Sequence, residues 1–121
     1  MDPAIKCLTP AAEFYTPERC FITELVNDKS NPALSIARAR VEPGVTTAWH
    51  KLNDVTERYL IASGIGRMEI KGIDAQDLSE GDMVSIPADN PQRITNTGSE
   101  DLIFFAICTP RFTPECYIGL E

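Results

Sequence analysis

The 121-residue chain contains a single histidine, His50. One imidazole excludes every site that draws two or more histidines from the same chain, including the three-histidine zinc centre. No two of Cys7, Cys20, Cys108 and Cys116 have C-x-x-C spacing, which excludes zinc-ribbon and thioredoxin-type motifs. Basic residues are scarce: 11 Lys+Arg stand against 18 Asp+Glu, for a net charge of −7. Nucleic-acid binding needs a net basic face, and membrane-surface binding a basic cluster, so neither partner is expected. Long apolar runs are missing too. The longest, Leu102 to Cys108, has seven residues, where a membrane helix needs about 20. The first twenty residues carry Asp2, Glu13 and Glu18 and no sustained apolar stretch. No secretory signal is expected, and a cytoplasmic protein with free thiols is the default.

What is present fits one globular domain. Hydrophobic residues make up 43% and charged residues 24%, which argues against disorder. Helical periodicity is poor, while period-2 alternation is good. In the segment from Gly66 to Gly72, Met68 and Ile70 face one way and Arg67, Glu69 and Lys71 the other. Strands are expected over Cys20–Val26, Leu34–Val41, Thr46–Lys51, Thr56–Ala62, Arg67–Lys71, Asp82–Ile86, Gln92–Asn96 and Leu102–Cys108. Turn chemistry separates them, as in Pro43-Gly44, Asn53-Asp54, Glu80-Gly81 and Thr97-Gly98. Many short strands at a spacing of roughly ten residues indicate an all-β sandwich or barrel.

The stretch from Gly44 to Gly64 carries the chemistry. Its two strands flank Asn53-Asp54, and a hairpin is expected there. Ala48, His50 and Leu52 share one strand face, and Glu57, Tyr59 and Ile61 share a face on the next. A carboxylate among apolar neighbours is costly unless paired or metal-bound. His50 and Glu57 are therefore expected to meet inside.

These residues resemble the cupin superfamily. Its first motif reads G-x5-H-x-H-x4-E-x6-G, and Gly44, His50, Glu57 and Gly64 fall in register with it. Its second reads G-x5-P-x-G-x2-H-x3-N, matched by Gly81, Pro87 and Asn96. The spacer, Ile65 to Glu80, has the sixteen residues of small single-domain members. The resemblance covers about Leu34 to Thr109. It implies an all-β double-stranded β-helix, a jelly-roll barrel of two antiparallel sheets. Residues 1–19 would form an N-terminal arm, 20–109 the barrel and 110–121 a C-terminal tail. Such small barrels commonly form homodimers, and the arm and the aromatic-bearing tail suit that role.

The family's metal ligands correspond to His50, Leu52, Glu57 and Gln92, so two of four match. The second-motif glycine is replaced by Asp89. Three readings follow. In one, His50, Glu57 and Gln92 hold a divalent metal ion (iron, manganese, nickel or zinc) in an oxygenase or isomerase acting on a small organic molecule. In the second, the metal site is vestigial and the barrel binds a small molecule without catalysis. In the third, Glu57 orients His50 as a metal-free general acid–base. Tyr59 and Leu52 are expected to line the pocket, and Asp54 is a candidate further oxygen ligand if its turn folds inward. Trp49 and Arg93 should point outward. Arg111 should tie down the tail.

Overall fold

Alternation of buried and exposed side chains sets the architecture. In the computed structural model, which describes residues 2–121, the strands are β1 (Phe14–Tyr15), β2 (Phe21–Val26), β3 (Ser35–Val41), β4 (His50–Leu52), β5 (Thr56–Ser63), β6 (Gly66–Ile70), β7 (Gln76–Leu78), β8 (Met83–Ile86), β9 (Gln92–Asn96), β10 (Leu102–Thr109) and β11 (Tyr117–Gly119). They form two antiparallel sheets. One has the order β1-β2-β3-β10-β5-β8 and the other β11-β4-β9-β6-β7. The sheets face each other as the two layers of a jelly roll. Their inner faces bury Val41, Ile61, Met68, Ile86, Ile94 and Leu102 in one core. A smaller cluster of Leu52, Val55, Cys108 and Cys116 sits beside it.

Each expected strand overlaps an observed one, with two departures. The segment from Thr46 to Lys51 is extended over its full length in the sequence reading, yet regular pairing begins only at His50. Thr47 explains this. Its N–H donates to the Ile94 carbonyl, and its hydroxyl accepts the Ile94 N–H at 3.0 Å. A side chain thus replaces one rung of the ladder. The second departure is topological. The expected hairpin across Asn53-Asp54 does not form: β4 pairs with β9 and β11, while β5 pairs with β10 and β8. The turn carries the chain from one sheet to the other, with Asp54 in the left-handed region at φ 62°. His50 and Glu57 therefore approach across the barrel interior, not along one sheet.

Gly64 is fixed by close approach. Its φ is +85°, and a Cβ there would stand 2.7 Å from the Asp101 carbonyl oxygen, a contact no larger residue tolerates. Asp89 occupies the motif's second glycine position with φ 69°. Aspartate enters that region more readily than most residues. Its N–H donates to the Leu52 carbonyl and its carboxylate accepts the Asp54 N–H at 3.3 Å, so the two turns brace each other. The motif asparagine, Asn96, donates to the carbonyls of Val41 and Glu100, both at 2.8 Å, and accepts the Gly98 N–H. Its role is to clamp loops.

Glu13, just before β1, and the C-terminal tail pack back on the barrel, while residues 2–12 are exposed. Glu13 bridges Arg38 and Arg40, and Arg40 lies over the Phe21 ring. In the tail, Arg111 donates to Asn27 at 2.7 Å, Cys116 is buried and β11 extends the second sheet. Among the described residues, no helix is long and apolar enough to cross a membrane.

Candidate functional site

His50 and Gln92 stand opposite each other on β4 and β9. Glu57 sits on β5, in the other sheet, beside Cys108 of β10. All three side chains are buried. The Gln92 side-chain amide donates to Glu57 Oε1 at 2.6 Å, a bond that joins the two sheets. The Cys108 thiol donates to Glu57 Oε2 at 3.7 Å. His50 Nδ1–H donates to the Ala48 carbonyl at 2.8 Å, and its ring stacks on Tyr117 at 5.1 Å between centroids. Its other nitrogen, Nε2, points into the interior. There it meets a residue the sequence did not single out: Glu18 Oε1, at 3.5 Å.

Glu18 comes from the loop between β1 and β2. Three contacts hold that loop in place. The Ala48 N–H donates to the Glu18 carbonyl, Arg19 Nε donates to the Thr46 carbonyl at 2.9 Å, and Arg19 pairs with Glu121. The Cys20 thiol donates to Glu18 Oε2 at 3.8 Å. Each carboxyl thus has a thiol neighbour and, among the described residues, no Lys or Arg ion-pair partner. Burial pushes Glu57 up to about 7, against the lowering effect of its bond to Gln92. Burial likewise pushes Glu18 up to about 7. The two influence each other, since Glu18 raises Glu57 electrostatically. Burial also holds the Cys20 thiol high, at about 12, and raises Cys108 further. Both are therefore neutral S–H donors, not thiolate nucleophiles.

Glu18 and Glu57 lie in the wall of one cavity of about 490 Å³, bounded mainly by the inner face of β2, β3, β5 and β10. Tyr59 lines it, as expected, stacked at 4.3 Å on Phe104. Leu52 does not reach it and packs instead with Val55, Cys108 and Cys116. Asp54 is exposed. Trp49 and Arg93 pack on each other, the guanidinium 5.1 Å from the ring.

Two donors of the expected metal set engage each other, and the third faces a different residue. Glu57 Oε1 is taken by Gln92, and the free nitrogen of His50 faces Glu18. Among the described residues, no three His, Cys, Asp or Glu side chains are grouped to hold a metal ion. As arranged, Glu57 Oε1 and His50 Nε2 already face partners, which a divalent metal held by this set would have to displace. One atom points the other way: Gln92 Oε1 is buried with no hydrogen-bond donor.

The chain belongs to the Cupin domain family, whose model matches residues 37–108. Solved structures agree with that fold. A Streptomyces PAC13 variant with uridine is 14% identical with a TM-score of 0.79, over 100% of this chain and 93% of that one. A double-stranded β-helix protein from Klebsiella pneumoniae is 14% identical with a TM-score of 0.76, over 92% of both chains. A protein described as a predicted oxalate decarboxylase from Thermotoga maritima is 27% identical with a TM-score of 0.69, over 75% of this chain and 80% of that one. No curated protein matches the chain.

Proposed function

We propose that the cavity binds a small organic molecule and that Glu57, Glu18 and His50 move protons on it without a metal, in an isomerase-type reaction. One observation carries this reading: two carboxyl groups share the wall of a largely apolar cavity, and one faces the free nitrogen of the only histidine. Such groups suit proton transfer at neutral pH, because an acid and a base of matched strength coexist there. The chemistry balances within the site. An ionised carboxylate takes a proton from one substrate atom, and the other carboxyl, protonated, delivers one to another atom. The two groups then exchange states, and His50 Nε2 is placed to pass a proton to or from Glu18. No electron acceptor or co-reactant is required. The likeness to PAC13, described in a second structure as a nucleoside dehydratase, is consistent with a barrel of this shape holding a ligand of similar size.

The test is a thermal-shift screen of metabolites on protein kept in chelator. The expected result is stabilisation by a small organic molecule, abolished by Ala106→Phe, which fills the cavity from β10. Failure of every compound to stabilise the protein would contradict the reading. So would stoichiometric metal in purified protein that is lost in His50→Ala, which would restore the His50, Glu57 and Gln92 centre and its oxygenase chemistry.

A further inference from the structure

The cavity is unusual in what its wall omits. Among the described residues, no lysine or arginine lines it. Its carboxyl groups are those of Glu57, buried, Glu18, half-buried, and Glu24 at the exposed rim. Around them stand aromatic rings, among them Tyr59, Phe104, Tyr117 and Phe14. Of the arginines around it, Arg38 and Arg40 pair with Glu13 outside the sheet, Arg19 pairs with Glu121, and Arg111 donates to Asn27 of the wall from behind.

This lining discriminates by ligand charge. An anionic group would meet two or three carboxyls and no cation, in a medium where charges are poorly screened. A cation would find the reverse, with carboxylate oxygens for its N–H donors and ring faces for its charge.

We infer that the natural ligand is a protonated amine carried on an apolar, ring-sized body, its ammonium seated between Glu18 and Glu57. This rests on the proton-transfer reading of the same cavity and names the substrate class for it. One ionised carboxylate balances the ammonium, and the second carboxyl remains free to carry a proton. A small dicarboxylate such as oxalate is excluded as a ligand of this cavity on the same electrostatic ground.

Three isosteres decide the matter: indole-3-ethylamine, indole-3-ethanol and indole-3-propionate, titrated calorimetrically into chelator-treated protein. The amine is expected to bind at least about tenfold more tightly than the alcohol, and the carboxylate not to saturate. In Glu18→Gln/Glu57→Gln, with folding checked by thermal melting, the amine and alcohol should bind alike. Equal or tighter binding of the alcohol or the carboxylate to the native protein would overturn the inference. So would no binding of any of the three, or loss of amine binding to one equivalent of added zinc. If these fail while the metabolite screen finds a neutral ligand blocked by Ala106→Phe, the amine assignment falls and the proton-transfer cavity stands. If both fail, both fall.

Discussion

Glu57 is the residue on which the site turns, and its burial has a measurable cost. Unfolded, its carboxyl titrates near the ordinary value of 4.5; folded, it is pushed up to about 7. Below 4.5 both states are protonated and nothing is lost. As pH rises from 4.5 to 7 the unfolded chain releases a proton that the folded protein retains. Folding stability therefore falls through that window, by up to about 3 kcal/mol for a shift of this size. Glu57→Gln removes the loss while keeping an oxygen for the Gln92 amide. Urea unfolding of the two proteins should show the variant gaining about 2–3 kcal/mol on the native protein between pH 4 and pH 8. A pH-independent difference would place Glu57 in water. Gly64 makes a second residue-scale prediction. Gly64→Ala forces a Cβ against the Asp101 carbonyl at positive φ, so it should cost at least about 1 kcal/mol in the same measurement.

Elements show what was legible in the chain. Alternation placed the long strands, and the spacing of Gly44, Gly64, Gly81 and Asn96 placed the turns, because those positions answer to local backbone and loop geometry. His50, Glu57 and Tyr59 were legible for the same reason: parity along a strand decides which side chains face inward. Sheet membership was not. Whether the Asn53-Asp54 turn closes a hairpin or crosses between sheets depends on partners far away in sequence, β9 and β10. Glu18 was hidden for a stronger reason. The loop from Thr16 to Arg19 has no periodicity, and its position is set by contacts to Thr46, Ala48 and Glu121. That dependence is testable. Arg19→Gly keeps the left-handed backbone at φ 70° but removes the side-chain ties. Hydrogen exchange at the Ala48 amide, which donates to Glu18, should quicken about fivefold, equivalent to ~1 kcal/mol of local opening. Unchanged exchange would mean that the loop holds itself.

At the scale of the whole molecule, the arm leaves Phe14 and Tyr15 exposed on β1, the edge strand of the six-stranded sheet. Uncovered apolar edges tend to be paired. A homodimer across that edge is the expected state, and Tyr15→Lys should convert it to monomer in light scattering; a monomeric native protein would refute it. The fold as a whole gives the carboxyl pair its character, since Glu57 is buried on β5 while Glu18 is brought to the same cavity by a loop held to Thr46, Ala48 and Glu121. Carbon-13 NMR titration of the glutamate carboxyls in metal-free protein reads this directly. Two resonances should titrate near pH 7, and both should disappear from that range in Glu18→Gln/Glu57→Gln. If every glutamate carboxyl titrates below about 5, as in exposed peptides, the cavity holds no neutral-pH proton carrier and the proposed chemistry is wrong.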